Sequence, residues 1–326
     1  MERVKIVVAR SDFMKNKILC LVLILPIVLF MFTSCDNKEV TKIENFKITT
    51  VNFVQYDFVK NIVKDKAEVE MILSPQSDIH SFSPSLSNIN AIKDSNLFIY
   101  NDMLSDKWVD DIISSVDIEK TTILPLAKYS YLIEDMENKE ADISYKDDNY
   151  DMYDEHIWLS LQNARLMVKA ISDTICTLDK SNEAFYKDNA STYIEKLENL
   201  HNEYIDMVEN SSKKTIVVAD QFPFKYMTND YNLSYKAVFT SCSHERDANP
   251  SSISSIIDYI NKEKIKTVFY TELSDSKIAN TICKQTGADK KLLHSVQKVT
   301  KEEIENGASY LNYMKQNLTN LREALN

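Results

Sequence analysis

The chain has 326 residues, 44% of them hydrophobic, and a formal net charge of −11. Two glycines in the whole length cannot build a glycine-rich phosphate cradle, so P-loop and dinucleotide-binding architectures are excluded. The acidic balance excludes a basic stripe for nucleic acid, and the length suggests two lobes rather than one domain.

Residues 18–32 form an apolar run behind Lys15 and Lys17, interrupted by Pro26. The run is short for a bilayer span and has the order of a secretory signal: basic residues, apolar stretch, small residues. It ends in "FTSC", which resembles a bacterial lipobox with Cys35 as the lipid-bearing first mature residue. The competing reading is a single-pass anchor with an ordinary cysteine. Residues 1–35 carry five basic and two acidic side chains, so the remainder has a net charge of about −14. That charge either serves to attract cations or is simply a solvated surface.

Residues 36–45 read as a polar tether. Strands are predicted over 46–53, 67–73, 96–100 and 121–126, with helices over 55–65 and 84–94, Pro84 taking the first helical position. The alternation is that of a parallel sheet covered on both faces. A second set follows: strands over 215–220, 266–271 and 291–295, helices over 251–263 and 274–286, the latter ended by Gly287. A helical segment closes the chain over 301–325. Between the sets, residues 181–211 lack glycine and proline. Phe185, Tyr193, Ile194, Leu197, Leu200, Tyr204, Ile205 and Val208 recur near helical spacing. A helix of that length is roughly 42 Å long and suits a stiff strut. The fold expected is α/β, with two lobes, each a mostly parallel sheet flanked by helices, joined by one long rigid helix. The N-terminal lobe would cover 46–180, the linker 181–212 and the C-terminal lobe 213–326.

Five histidines are few enough to weigh one by one. His201 lies among charges in the strut and reads as a surface residue. His244 lies in the polar loop "CSHERDANPSS". His80, His156 and His294 each fall at or just beyond a predicted strand end or at a helix entry, where ligands bind in open α/β sheets. Imidazoles converging there are either a metal constellation or ordinary polar residues, since no compact zinc motif occurs. Cys176, Cys242 and Cys283 have no metal spacing. They read as buried free thiols, with a Cys242–Cys283 bridge the alternative.

Longer words narrow the choice. "DIHSFSPSLSNINAIKDSNLFIYNDMLSDKW", "DEHIWLSLQNARLMVKAI", "FKYMTNDYNL" and "NGASYLNYMKQNLTNL" together are similar to the cluster A-I (cluster 9) substrate-binding lipoproteins of bacterial metal ABC transporters, which bind zinc or manganese. The resemblance covers nearly all of the chain after Cys35. It implies a lipid-anchored receptor outside the cytoplasm that passes a divalent metal to a permease and its ATPase. His80 falls on the first ligand position and His156 on the second. The third, usually His or Glu, falls on Gln221, whose neutral amide is a poor transition-metal donor. The fourth falls on His294. Glu245 is the expected replacement for the third ligand, with Asp247 or water as alternatives and Gln221 left to orient a neighbour. A nitrogen-rich set favours zinc over manganese.

Residues 134–155 hold ten carboxylates before His156. They either concentrate cations near the cleft or form a plain solvated loop. Trp158 and Leu161 are expected to pin the helix that follows His156. A secreted zinc hydrolase is the rival reading, but HExxH and related clusters are absent. An adhesin role has no repeat or adhesive module to support it, and no catalytic residue is expected.

Overall fold

The computed structural model describes residues 46–75, 77, 79–115, 120–135, 152–239 and 249–326. The first half runs β1 (Lys47–Thr50), α1 (Phe53–Val63), β2 (Glu68–Met71), α2 (Leu86–Lys93), β3 (Leu97–Tyr100), α3 (Trp108–Ser115) and β4 (Thr122–Pro125). Helices α4 (Leu161–Leu178) and α5 (Glu183–Asn210) follow. The second half runs β5 (Thr215–Val218), α6 (Lys225–Asp230), β6 (Ser234–Ala237), α7 (Pro250–Glu263), β7 (Thr267–Tyr270), α8 (Lys277–Thr286) and β8 (Asp289–Leu292), closing with α9 (Lys301–Glu305) and α10 (Tyr310–Leu325).

The strands form two four-stranded sheets, ordered β2-β1-β3-β4 and β6-β5-β7-β8, with every pairing parallel. Ile48 faces Val69 on one side and Leu97 on the other. The order reverses between β1 and β3, and between β5 and β7, so each sheet has a crevice beyond those strand ends. In the first sheet Asn52 caps α1 in a capping box with Gln55. The Gln55 Nε2 also donates to Asn101 Oδ1 at 2.9 Å, joining the first turn of α1 to the loop after β3. In the second, Asp220 Oδ2 accepts the Thr271 backbone N–H and hydroxyl at 3.1 and 3.0 Å, joining the loops after β5 and β7.

Among the boundaries that differ from expectation, two have identifiable reasons. Ser85 caps α2 in a box with Asn88, so Pro84 precedes the cap instead of opening the helix. Strand β8 ends at Leu292, three residues before the predicted end, which leaves His294 in the following loop. Strand β6 was not predicted. It lies at a sheet edge with Ser234, Tyr235 and Lys236 exposed, so no apolar alternation marks it. Gly287 does end α8, at φ +73°.

Helix α5 is 28 residues long, but it is packed rather than free-standing, lying against α1, α4 and α10. Its buried stripe is Tyr186, Ala190, Tyr193, Leu197, Leu200, Tyr204, Met207 and Val208. Phe185 and Ile205, expected on that stripe, are each 37% exposed. His201 is half-buried, its Nδ1 3.0 Å from the Tyr231 hydroxyl, and burial lowers its pKa. Among the described residues no helix is long and apolar enough to cross a membrane.

One apolar core runs through both sheets and these long helices. It contains a polar junction. Asp57 on α1 is buried and accepts from the Tyr193 hydroxyl at 2.9 Å and the Tyr310 backbone N–H at 3.3 Å. Burial raises its carboxyl to about 6, against the pull of those hydrogen bonds.

Truncating Leu197 to Ala should cost about 2–5 kcal/mol, the range for an emptied core site, whereas Ile205→Ala should cost about 1 kcal/mol or less at its exposed position. Urea unfolding of both variants checks this. Asp57 binds its proton more tightly folded than unfolded, so its contribution to stability is full below about pH 4 and is lost as pH rises through about 6. Asp57→Asn keeps one oxygen, which can accept both hydrogen bonds, without the charge. The variant should gain on the order of 1–3 kcal/mol relative to the parent between pH 4 and pH 7, read from unfolding curves at both pH values.

Candidate metal centre

Two loops at the carboxyl end of the first sheet carry the candidate groups. The first follows β2. Ile72, Leu73 and Ile79 sink into an apolar cluster with Phe98 and Val109, and this fixes the single 3-10 turn Ile79–Ser81 that presents His80. The second leads into α4. Its stem is an antiparallel bridge between Glu134 and Tyr153, extended by Asp135 N–H to Met152 O at 2.7 Å and Asp154 N–H to Ile133 O at 2.9 Å. The chain then turns through the 3-10 segment Ile157–Leu159 before Ser160 caps α4. Residues 136–151, most of the acidic loop, lie outside the described residues.

His156 is 3% exposed. Its backbone N–H and its Nδ1 both lie 3.0 Å from Asp154 Oδ1, and its ring stands edge-on to Trp158 at 5.5 Å. Asp154 is tied in turn to the second half. Its backbone carbonyl accepts from the Tyr226 hydroxyl at 2.8 Å, and Lys225 Nζ lies 3.8 Å from Oδ2 and 2.7 Å from Asp135 Oδ1. Burial works against ionising Asp154. The hydrogen bonds and charge of His156, with the Lys225 ammonium, outweigh that and hold the carboxyl below its ordinary range.

Glu155 turns toward the first loop. Its Oε1 is 3.1 Å from His80 Nδ1, and its Oε2 accepts the Ser105 backbone N–H at 3.1 Å. One donor atom from each of His80, Glu155 and His156 lies within 4.8 Å of the others. The two imidazole centroids are 6.3 Å apart. Asp106, buried nearby, has its carboxyl raised to about 7, first by burial and then by Glu155 among its neighbours. Two imidazoles with a carboxylate are a donor set suited to zinc.

The structure brings His80 and His156 together and adds Glu155, which sequence reasoning treated only as part of an acidic run. It does not bring His294 into the group. That imidazole follows the early end of β8. Its Nδ1 accepts the Val296 N–H at 2.9 Å, its ring lies 4.0 Å from that of Tyr313, and it faces a cavity of about 280 Å³ lined also by Glu272 and Glu303. Burial lowers its pKa against the opposing pull of both carboxylates. The loop beyond is held by Glu272, which accepts Ser295 N–H at 2.8 Å and Gln297 N–H at 3.2 Å, and Val296 sits at φ +63°. Gln221 is half-buried beyond β5, its N–H on Asp220 Oδ1 at 2.9 Å. Glu245, Asp247, His244, Cys242 and Cys35 lie outside the described residues. Cys176 is buried and Cys283 partly buried, and both are free.

Two parallel sheets joined through a long central helix, with an imidazole–carboxylate group past the carboxyl end of one sheet, define a two-lobed architecture with a candidate metal centre. Residues 48–324 match the family of the zinc-uptake complex component A, periplasmic, and the chain belongs to that family. It is 30% identical over 321 residues to the zinc-binding protein AdcA of Streptococcus pyogenes, covering 95% of this chain and 61% of that protein. The chain thus spans about 61% of the length of the AdcA relative. It is 27% identical over 301 residues to the high-affinity zinc uptake system protein ZnuA of Bacillus subtilis, covering 90% of this chain and 94% of that protein. The solved structure of the metal-dependent lipoprotein YcdH from Bacillus subtilis superposes with a TM-score of 0.73 at 26% identity, over 86% of this chain and all of that one (100%).

Proposed function

We propose that this chain is the extracytoplasmic zinc receptor of an ABC importer, capturing the ion at His80 and His156 and passing it to a membrane permease driven by an ATPase. The observation that carries this is the convergence of the two imidazoles, from loops 76 positions apart in sequence, beside a carboxylate in a chain of the zinc-uptake family. The zinc-binding and zinc-uptake names of its relatives agree with it. Zinc is the substrate here, held and released unchanged, so the protein acts as a receptor and not as an enzyme.

The local chemistry supports capture. Asp154 is placed to accept the Nδ1–H of His156, which fixes the tautomer, directs Nε2 to the ion and raises its basicity. The protein is anchored through lipidated Cys35, and the tether lets it range over the permease. Glu245 is the candidate for a donor from the second half.

In the full-length protein in detergent, His80→Ala and His156→Ala should each weaken zinc binding at least about tenfold, or roughly 1.4 kcal/mol, in competition titrations with a chromophoric chelator. His201→Ala should leave affinity unchanged. His294→Ala should weaken it less than either, because that imidazole lies outside the group. Equal effects at all four positions would remove the assignment, as would zinc-dependent hydrolysis of peptide or ester substrates by the parent. Separately, Cys35→Ala should accumulate as an unprocessed precursor without lipid label; normal labelling with radioactive palmitate would remove the anchor.

A further inference from the structure

We propose that Glu155 is a direct zinc ligand, the carboxylate donor that joins His80 and His156, so that three donors come from the first half of the chain. The inference rests on the zinc-receptor reading above and adds to it a donor that the sequence resemblance did not supply.

The spacing leaves room for a shared ion. Two donors each about 2.0–2.1 Å from zinc at a tetrahedral angle are about 3.4 Å apart. Glu155 Oε1 and His80 Nδ1 are 3.1 Å apart, and one donor of each of the three residues lies within 4.8 Å of the others. Small shifts therefore bring all three onto one centre. The Glu155 side chain is 13% exposed and the His80 side chain 22%, which leaves the group both shielded and reachable. Ser105 N–H holds Oε2 and leaves Oε1 directed at the imidazole, an outer contact of the kind that orients ligating carboxylates.

The two adjacent acids divide the work. Asp154 is committed inward to His156, Tyr226 and Lys225, which marks it as a positioning residue. Glu155 reaches across to the other loop. Charge points the same way. Two neutral imidazoles leave both charges of the dication uncompensated, which is costly at a shielded site, and one carboxylate offsets half of it. Gln221, a neutral amide, offers no such compensation.

The test uses the full-length protein in detergent, with zinc as the ligand. Glu155→Gln should weaken zinc binding at least about tenfold while the melting temperature of the metal-free protein stays within a few degrees. In Glu155→Cys, zinc X-ray absorption should gain a sulfur shell near about 2.3 Å that the parent lacks. Cobalt in place of zinc should show a thiolate-to-metal charge-transfer band in the near ultraviolet. Binding by Glu155→Gln within twofold of the parent overturns the proposal. So does a loss of affinity in Glu155→Gln without sulfur at the metal in Glu155→Cys, which assigns Glu155 to orienting His80. If His80→Ala and His156→Ala also bind like the parent, the zinc-receptor reading itself has failed. If those two lose binding and only the Glu155 variants are silent, the failure is confined to this inference.

Discussion

Trp158 is the residue on which the placement of the centre depends. Its backbone carbonyl accepts the Tyr310 hydroxyl at 2.5 Å, and its indole N–H donates to Ser295 O at 2.9 Å. Both partners belong to the second half of the chain, more than 130 residues away in sequence. The side chain is 3% exposed, and its ring stands against His156. A buried indole N–H without an acceptor would cost on the order of 1–3 kcal/mol, so the ring has essentially one satisfied orientation. That orientation sets the turn Ile157–Leu159 and hence the direction of the imidazole that precedes it. Tyr310 carries the constraint further. It packs edge-on to Phe58 at 5.0 Å, and its N–H meets Asp57. Loop, closing helix and first helix are thus fixed by one chain of contacts.

The long helix is the second part of that frame. Tyr193 reaches Asp57 on α1 and Tyr204 donates to Met314 O on α10, at 2.9 and 2.7 Å. Each tyrosine buries a ring in the core while its hydroxyl finds an acceptor, which a phenylalanine could not do. A helix cross-linked this way along its length is a spine shared by both sheets. Rigid support matters for a metal centre, because donors held in place before an ion arrives do not lose binding energy to being ordered.

Much of this was legible in the sequence. The central strands are short apolar runs between helical patterns, and a parallel sheet demands nothing else. The edge strands were harder. β6 is mostly exposed and gives no periodic signal, and β8 was displaced because Leu293, which is buried, extends the apolar run beyond the last paired residue. That displacement moved His294 from a strand end into a loop whose path is set by Glu272 and by the left-handed Val296, contacts that periodicity cannot express. The stripe on α5 was found, but its phase was wrong at Phe185 and Ile205, since an amphipathic pattern does not say how far neighbouring helices wrap around it. His80 and His156 are legible as candidate donors from the resemblance of the words around them, and the structure places them close together. Glu155 was hidden for a different reason: its partners His80 and Ser105 lie 75 and 50 positions away, and adjacency to a histidine carries no spacing signal.

The stretch "DEHIWLS" then has a physical reading. Its first residue closes the stem of the acidic loop, through Asp154 N–H to Ile133 O, and the chain bends at Glu155. Asp154 Oδ1 accepts the backbone N–H of His156 two residues on and lies 3.0 Å from its Nδ1, closing the bend locally as aspartates do in turns, and Glu155 at the corner faces the neighbouring loop. The bend lets three consecutive polar residues serve three purposes: one anchors to Lys225 and Tyr226, one reaches His80, and one offers its imidazole. A helix beginning one turn earlier would rotate all three onto different faces. The 3-10 turn that delays α4 until Leu161 is therefore part of the site, and Trp158, by fixing that turn, determines whether the donors converge.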